Sequence, residues 1–196
     1  MTESTPPIVI LFATREGQTR RIAEHLAATA RARNLPVEIQ NIRLLNESFS
    51  LADYDKVILA ASVHSGKHEP EMVDFVKRHR SRLGNMQTIF LSVSLSEATV
   101  EDFHRTPEVR AKAAQDVEDM IQDFFEETGW HPSALQHQGV HAVAGALMYS
   151  KYNFFVRWIM RRIARKEGAP TDTSRDYEYT DWEALDEIID EIAAHS

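Results

Sequence analysis

The pattern of apolar and polar positions along this chain predicts β-strands and α-helices in alternation. Five short segments that are continuously apolar, or that alternate with period two, have the character of strands, and they cover residues 8–13, 37–40, 57–61, 88–93 and about 139–144. Segments whose apolar residues recur three or four positions apart predict helices, and they cover residues 18–33, about 70–83, about 107–128, about 152–166 and 182–194. Such alternation is typical of parallel βαβ units.

The order of these elements predicts one α/β domain with a flavodoxin-like, three-layer sandwich. In that architecture a five-stranded parallel sheet of order 2-1-3-4-5 carries helices on both faces, and ligands bind beyond the carboxyl ends of the strands. We expect residues 1–7 to form a flexible N-terminus and residues 8–195 to form a single domain. The segments at about 94–137 and 150–175 are interpreted as insertions into that domain.

The clearest candidate chemistry lies at residues 14–19, between the first strand and the first helix. A helix start offers unpaired backbone N–H groups to a phosphate, Gly17 lets the backbone approach a ligand, and Thr14 and Thr19 offer hydroxyls. The spacing fits neither a Walker A loop nor the three-glycine dinucleotide fingerprint. It is similar to the flavodoxin loop that holds the phosphate of flavin mononucleotide (FMN). On these six residues alone, a turn with a Thr-capped helix is the alternative.

Two further loops are expected at the same edge of the sheet. The loop at 62–68 contains hydroxyl groups and Gly66, which suit a backbone that faces a flat ring. The loop at 94–99 begins with Ser94, Leu95 and a second serine. Because small and polar residues occur in all three loops, the pattern favours a flavin site over three unrelated surface loops.

Composition and charge exclude several classes of protein. The chain has 196 residues, 43% of them hydrophobic, and no cysteine, so disulfides, iron–sulfur clusters and cysteine nucleophiles are excluded. A net charge of −8 argues against nucleic-acid binding. Residues 1–7 do not have the character of a signal peptide, and no apolar run is long enough to span a bilayer, so a cytoplasmic location is expected.

The chain resembles a known family over about residues 8–191. The matching segments are 10–19, 61–66, 75–77, 90–95, 105–107, 144–149, 171–173 and 179–182. The first of these is common to flavodoxins, whereas Arg105-Thr106-Pro107 and the segments at 144–147 and 179–182 are more specific. On these segments the chain resembles the flavodoxin-like, menaquinone-dependent protoporphyrinogen oxidase family. The helix after Pro107 is longer and more acidic than that family leads us to expect, and residues 168–170 lack the expected glycine pair.

The resemblance implies an enzyme that uses FMN to oxidise protoporphyrinogen IX, a tetrapyrrole, to protoporphyrin IX in haem biosynthesis. Electrons would pass to a quinone and so to the respiratory chain. The implied phosphate-binding residues are Thr14, Arg15, Glu16, Gly17, Gln18 and Thr19. The residues implied around the flavin ring are Ser62, Val63, His64, Ser65, Gly66, Ser92, Val93, Ser94, Leu95 and Gly145, with residues 171–173 as a further implied contact.

A basic and aromatic segment near the C-terminus allows three interpretations. Residues 151–168 contain six basic residues and one acidic residue, although the chain as a whole is acidic. An amphipathic helix at about 152–166 could lie on the inner face of the cell membrane, close to a lipid-soluble quinone. Its arginines could instead face the propionates of a porphyrinogen. In the third interpretation Phe155, Ile159 and Ile163 are core residues and the arginines face solvent.

Two other functions remain open at this stage. The chain could be a flavodoxin-type electron carrier, although the two insertions argue against a minimal carrier. It could also be an FMN-free interaction module with an acidic surface. The histidines show no converging metal-ligand pattern, so no metal site is predicted. No catalytic acid or base is assigned, because a flavin carries the redox chemistry itself. The oligomeric state is not indicated.

Overall fold

A computed structural model describes residues 7–46, 48–147, 150 and 172–194 of the chain. Several sequence predictions fall outside the described residues. They are the flexible N-terminus, apart from Pro7, the basic helix at about 152–166, most of the insertion at 150–175, and Thr171.

The described residues form five helices and eight strands. The strands are β1 (Ile8–Ala13), β2 (Val37–Asn41), β3 (Lys56–His64), β4 (Lys67–His68), β5 (Gln87–Ser94), β6 (Gly139–Ala144), β7 (Ala146–Leu147) and β8 (Tyr177–Glu178). The helices are α1 (Gln18–Ala32), α2 (Pro70–Leu83), α3 (Leu95–Glu101), α4 (Pro107–Thr128) and α5 (Trp182–Ala193), and single 3-10 turns lie at Ile42–Leu44, Leu51–Asp53 and Ala134–Gln136.

The central sheet has the predicted topology. Strands β2, β1, β3, β5 and β6 lie side by side in that order, and each neighbouring pair is parallel. Counting only these long strands along the chain, the order is 2-1-3-4-5, so the flavodoxin-like prediction is confirmed. Two features were not predicted: β4 folds back antiparallel on β3, and β7 pairs with β8 in a separate two-stranded sheet.

Helices cover both faces of the sheet, which gives the predicted three layers. On one face Leu11, Leu59 and Phe90 pack with Phe75 of α2 and Phe124 of α4. On the other face a second buried cluster contains residues from the same strands together with residues of α1 and α5, namely Ile10, Ile58, Ile22, Leu26 and Ile189. Successive residues of one strand enter opposite clusters because strand side chains alternate between faces.

The segment predicted as a loop at 94–99 is instead the start of a helix. Ser94 is the N-cap of α3, and its hydroxyl accepts a hydrogen bond from the backbone amide of Glu97 at 3.2 Å. A serine followed three residues later by glutamate is a helix-start signature. The prediction of a loop was therefore wrong, because α3 buries none of its residues and has no apolar stripe to reveal it.

Candidate functional site

The carboxyl ends of four strands meet at one edge of the sheet. Ala13 of β1 pairs with Ala61 of β3, which pairs with Ser92 of β5, and Ser92 pairs with Ala142 of β6. The segments that follow these strands therefore emerge side by side. They include residues 14–17 of the predicted phosphate loop (14–19), the turn after His64, the start of α3 and Gly145.

The phosphate loop has the backbone form that its sequence predicts. Gly17 has φ 95°, a left-handed conformation that favours glycine, and its amide donates to Thr14 Oγ1 at 3.1 Å. Helix α1 then begins, with the Arg21 amide donating to the Gly17 carbonyl. None of the described residues accepts a hydrogen bond from the backbone amides of Arg15, Gln18 or Thr19. The loop thus presents unpaired amides at the positive end of a helix.

A buried hydroxyl at the same helix start also lacks a partner. Thr19 is 0% exposed, and its Oγ1 atom makes no hydrogen bond within the described part of the chain. Leaving a buried hydroxyl unpaired costs about 1–3 kcal/mol. A phosphate brings several strong acceptor oxygens, so the donors of this loop fit the phosphate end of FMN.

The side chain of Gln18 belongs to the protein framework. Its Nε2 donates to Glu178 Oε1 at 3.0 Å and to Thr180 Oγ1 at 2.8 Å, while Thr180 donates onward to the Ala144 carbonyl at 2.8 Å. Helix α1 is thereby tied to the segment that precedes α5. Only the backbone amide of Gln18 is placed to meet a ligand.

Replacing Gln18 by alanine is expected to lower the free energy of unfolding by about 1–2 kcal/mol, because two hydrogen bonds between distant parts of the chain are lost. Urea denaturation measures this directly. Gln115→Ala is the matched control, since Gln115 makes an exposed hydrogen bond to Asp119 within α4, and its loss should cost less than about 0.5 kcal/mol. Equal effects of the two substitutions would contradict the bridging role of Gln18.

The second segment of the site is a tight hairpin. Ser65 and Gly66 have φ values of 52° and 77°, and they connect β3 to β4 through a two-residue turn. Two positive φ values are the mark of a type I′ turn, which explains why β3 continues to His64 instead of ending at Ala61. The exposed Ser65 and Gly66 form its tip.

A buried carboxylate that the sequence analysis missed joins the first two segments. Glu69, with 2% of its side chain exposed, accepts hydrogen bonds from Arg15 Nε and Ser62 Oγ, each at 3.0 Å. His64 Nε2 lies 3.2 Å from Glu69 Oε1, within ion-pair distance but without good hydrogen-bond geometry, and His64 Nδ1 lies 3.9 Å from Glu16 Oε1. The only sequence signal was a glutamate just before the proline that begins α2.

The charge of Glu69 is set by opposing effects. Burial raises the pKa of Glu69, but the interactions with His64, Arg15 and Ser62 lower it, and the net result is a pKa below its usual value. The carboxylate is therefore ionised at neutral pH, and it accepts hydrogen bonds from Arg15 of the first segment and Ser62 of the second.

The side chain of Ser92 is not exposed at this edge of the sheet. It is fully buried, and its hydroxyl lies 2.9 Å from His68 Nε2. The ring of His68 packs against Phe90 and Phe124, and burial lowers the pKa of His68 to about 4. The contact between Ser92 and His68 thus connects β4, the second strand of the hairpin, to β5.

The other predicted ring contacts lie at the end of β5 and just beyond β6. Val93 and Ser94 are almost entirely buried, whereas Leu95 is partly exposed. The Gly145 amide donates to the Ser94 carbonyl at 2.8 Å, and the Gly145 carbonyl accepts from Tyr179 at 3.2 Å. Gly145 thus links the start of α3 to the residue that follows β8 through two backbone hydrogen bonds.

Several carboxylates lie around a cavity next to β6, the last strand of the central sheet. A cavity of about 380 Å³ lies between β6 and α5, and its lining includes the acidic residues Glu101, Asp181, Glu187 and Glu191 together with His141. Burial raises the pKa of Glu101, and the neighbouring charges of Glu97 and Asp181 raise it further. This cavity repels anions, so an anionic phosphate is expected at the α1 end of the site.

The described residues contain neither a cluster of metal ligands nor a membrane-spanning helix. No group of three or more His, Asp or Glu residues in these ranges could hold a metal ion. No helix among them is long and apolar enough to cross a membrane.

Comparison with known proteins identifies the class. Residues 9–174 match the Flavodoxin domain family, Flavodoxin_5. Oxidised flavodoxin 1 from Bacillus cereus superposes with a TM-score of 0.54 at 18% identity, covering 97% of this chain and 99% of that one. Streptococcus pneumonia TIGR4 flavodoxin gives a TM-score of 0.52 at 17% identity over 97% of this chain and 99% of that one. The fold and the family match define a flavodoxin-domain protein.

Sequence relatives narrow the class further. The chain is 32% identical to Escherichia coli K12 protoporphyrinogen IX dehydrogenase (quinone) over 185 residues, which cover 94% of this chain and 93% of the E. coli protein. It is 31% identical to the Leishmania major protein of the same name over 198 residues, which cover 99% of this chain and 78% of that protein. The chain therefore belongs to the protoporphyrinogen IX dehydrogenase (quinone) family, as its resemblance predicted.

Proposed function

We propose that this protein binds FMN and oxidises protoporphyrinogen IX to protoporphyrin IX, with a quinone as the electron acceptor. The observation that carries the proposal is the phosphate loop, where three backbone amides and the buried Thr19 hydroxyl find no hydrogen-bond acceptor among the described residues. The substrate and acceptor come from the names of relatives that match nearly the whole chain.

The phosphate of FMN would be held by the loop at 14–19. The amides of Arg15, Gln18 and Thr19 are its donors, the hydroxyls of Thr14 and Thr19 add to them, and the Arg15 guanidinium supplies positive charge. Glu16 is included as a member of this loop, although its carboxylate has the same sign of charge as a phosphate. Gly17 supplies the backbone conformation that aims these groups at one point.

The ring of FMN would lie across the remaining strand ends. Its neighbours would be Val63, His64, Ser65 and Gly66 in the hairpin, Val93, Ser94 and Leu95 at the start of α3, and Gly145. Ser62 and Ser92 would act indirectly, because their hydroxyls bond to Glu69 and His68 and so help to position the hairpin.

FMN, when bound, supplies the redox chemistry, and the chain's own residues bind and orient. The phosphate loop and the hairpin are each held by hydrogen bonds within the protein, so their geometry exists before a ligand arrives. A site organised in this way loses little conformational entropy on binding.

Peripheral contact with the inner face of the cell membrane through about residues 152–166 is part of the proposal. It rests on the excess of basic residues in that segment, since each lysine or arginine near an anionic leaflet contributes about 1 kcal/mol. Association with vesicles that contain anionic lipid, compared with neutral vesicles, tests this contact.

The purified protein is expected to be yellow, or to become yellow with FMN, with an absorbance band at about 450 nm that belongs to the cofactor. Mixed anaerobically with protoporphyrinogen IX and a quinone, it should produce porphyrin fluorescence. The controls omit the quinone or use Gly17→Val protein. Flavin binding without porphyrin formation would indicate an electron carrier, and a preparation that stays colourless with excess FMN would overturn the proposal.

A further inference from the structure

The side chain of Glu69 makes contacts that capping helix α2 does not require. It occupies the N-cap position of α2, yet its side chain accepts no capping hydrogen bond from the first turn of that helix. The carboxylate reaches back to side chains of the phosphate loop and of β3, and it does so while almost completely buried. Burying a carboxylate is costly unless it is paired, so its partners account for its presence.

Arg15 is the partner that connects Glu69 to the phosphate loop. The bond to Glu69 uses Nε of the guanidinium, at 3.0 Å. The terminal nitrogens of Arg15 make no hydrogen bond to any other residue in the described ranges, and about half of the side chain is exposed. A guanidinium held by Nε keeps its two terminal nitrogens directed outward, where they can pair with a second anion.

The hairpin is connected to the same carboxylate. Ser62 donates to Glu69 Oε1, and His64 lies between Glu69 and Glu16. The Glu69 amide also donates to the Ser62 carbonyl at 3.1 Å. One buried charge therefore sets the position of the phosphate loop relative to the hairpin.

We propose that Glu69 is a positioning residue that holds the Arg15 guanidinium so that its terminal nitrogens meet the phosphate of FMN. The inference rests on the proposed function, because it assumes that a phosphate occupies the loop. Glu69 itself does not touch the ligand. It determines how strongly the site prefers a flavin that carries a phosphate over one that does not.

The test compares FMN with riboflavin, which has the same ring and no phosphate. Dissociation constants of the apoprotein are measured from the quenching of flavin fluorescence. We expect Glu69→Ala and Arg15→Ala each to weaken FMN binding about tenfold, because a charge-assisted contact to the phosphate is lost, and to change riboflavin binding less than about twofold. The double variant should bind FMN no more weakly than Arg15→Ala, since Glu69 acts through Arg15.

Two further variants separate positioning from general stability. Glu69→Gln keeps an oxygen that accepts from Arg15 Nε, so it should retain part of the FMN preference, and it serves if the alanine variant does not fold. Glu71→Gln is the matched control: Glu71 lies on the same helix and pairs with Arg43 at 3.1 Å, and no ion pair joins it to Arg15 within the described residues. Its flavin constants should not change.

Three outcomes decide the matter. A selective loss of FMN affinity that is non-additive with Arg15→Ala supports the inference. An unchanged ratio of FMN to riboflavin affinity in the Glu69 variants, with native protein that still prefers FMN, overturns the inference and leaves the proposed function standing. Native protein with no preference for FMN overturns the inference and removes the phosphate loop from the proposed function.

Discussion

Replacing Gly17 by valine is expected to weaken FMN binding about 100-fold, equivalent to about 2.7 kcal/mol. Gly17 has φ 95°, and a β-branched residue in that region is strained by about 1–3 kcal/mol. The loop would relieve the strain by turning, and the amides of Gln18 and Thr19 would then point away from the phosphate. Each hydrogen bond to a charged group contributes about 1.5–3 kcal/mol, so the loss of one or two such bonds accounts for the effect.

Gly129→Val is the matched control for this prediction. Gly129 also has a positive φ, 66°, but it follows α4 at the opposite edge of the sheet. We expect Gly129→Val to introduce the same backbone strain, about 1–3 kcal/mol, and so to lower the free energy of unfolding. FMN affinity should not change. Fluorescence titration measures the affinities and urea denaturation measures the stabilities. Equal weakening of FMN binding in the two variants would mean that the effect is general destabilisation and not damage to a phosphate site.

The free energy of unfolding should fall by about 2 kcal/mol between pH 7 and pH 5 through His68 alone. Burial lowers the pKa of His68 from 6.5 to about 4, because an imidazolium between Phe90 and Phe124 would lose its hydration. Between these two values the unfolded chain binds a proton that the folded protein does not. Stability therefore rises with pH across this window and is lost on acidification.

Urea denaturation of wild type and His68→Gln at both pH values measures the contribution. The loss of stability between pH 7 and pH 5 should be smaller in the variant by about 2 kcal/mol. Glu69 does not obscure the comparison, because its pKa lies below its usual value and its contribution is lost only at lower pH. His79→Gln, on α2, is the control: burial also lowers the pKa of the less buried His79, so its effect should have the same sign and be smaller. The same pH dependence in wild type and His68→Gln would contradict the prediction.

Much of the fold could be predicted because its signals are local. The apolar run before Thr14 and the helical spacing of Ile22 and Leu26 indicate β1 and α1 within a few residues of their observed bounds. Helices α2 and α4 begin at Pro70 and Pro107, as expected from prolines in a first helical turn. The prediction of a loop at 94–99 failed because α3 has no apolar stripe that would indicate a helix. The end of β3 was placed too early because a turn of two residues with positive φ extends this strand to His64.

The candidate site also contains some features that local sequence predicts and others that depend on distant residues. The phosphate loop is six consecutive residues, so its hydroxyls and glycine could be recognised from spacing alone. Gln18 and Ser92 were assigned to the cofactor because the resemblance to the family implies it. In the structure their side chains are engaged by Thr180 and His68, which are 162 and 24 positions away along the chain.

The sequence by itself determined the alternation of strands and helices, the sheet order that this alternation favours, and the form of the loop at 14–19 that we propose binds phosphate, because periodicity and turn chemistry act over a few neighbouring residues. Only the tertiary structure decided that Glu69 joins Arg15 to the hairpin, that the Thr19 hydroxyl is buried without a partner in the described part of the chain, and that His68 is held neutral. Those properties depend on burial and on partners that the folded sheet brings together from distant positions, and the cost of burying a charge or a hydroxyl exists only once water has been excluded.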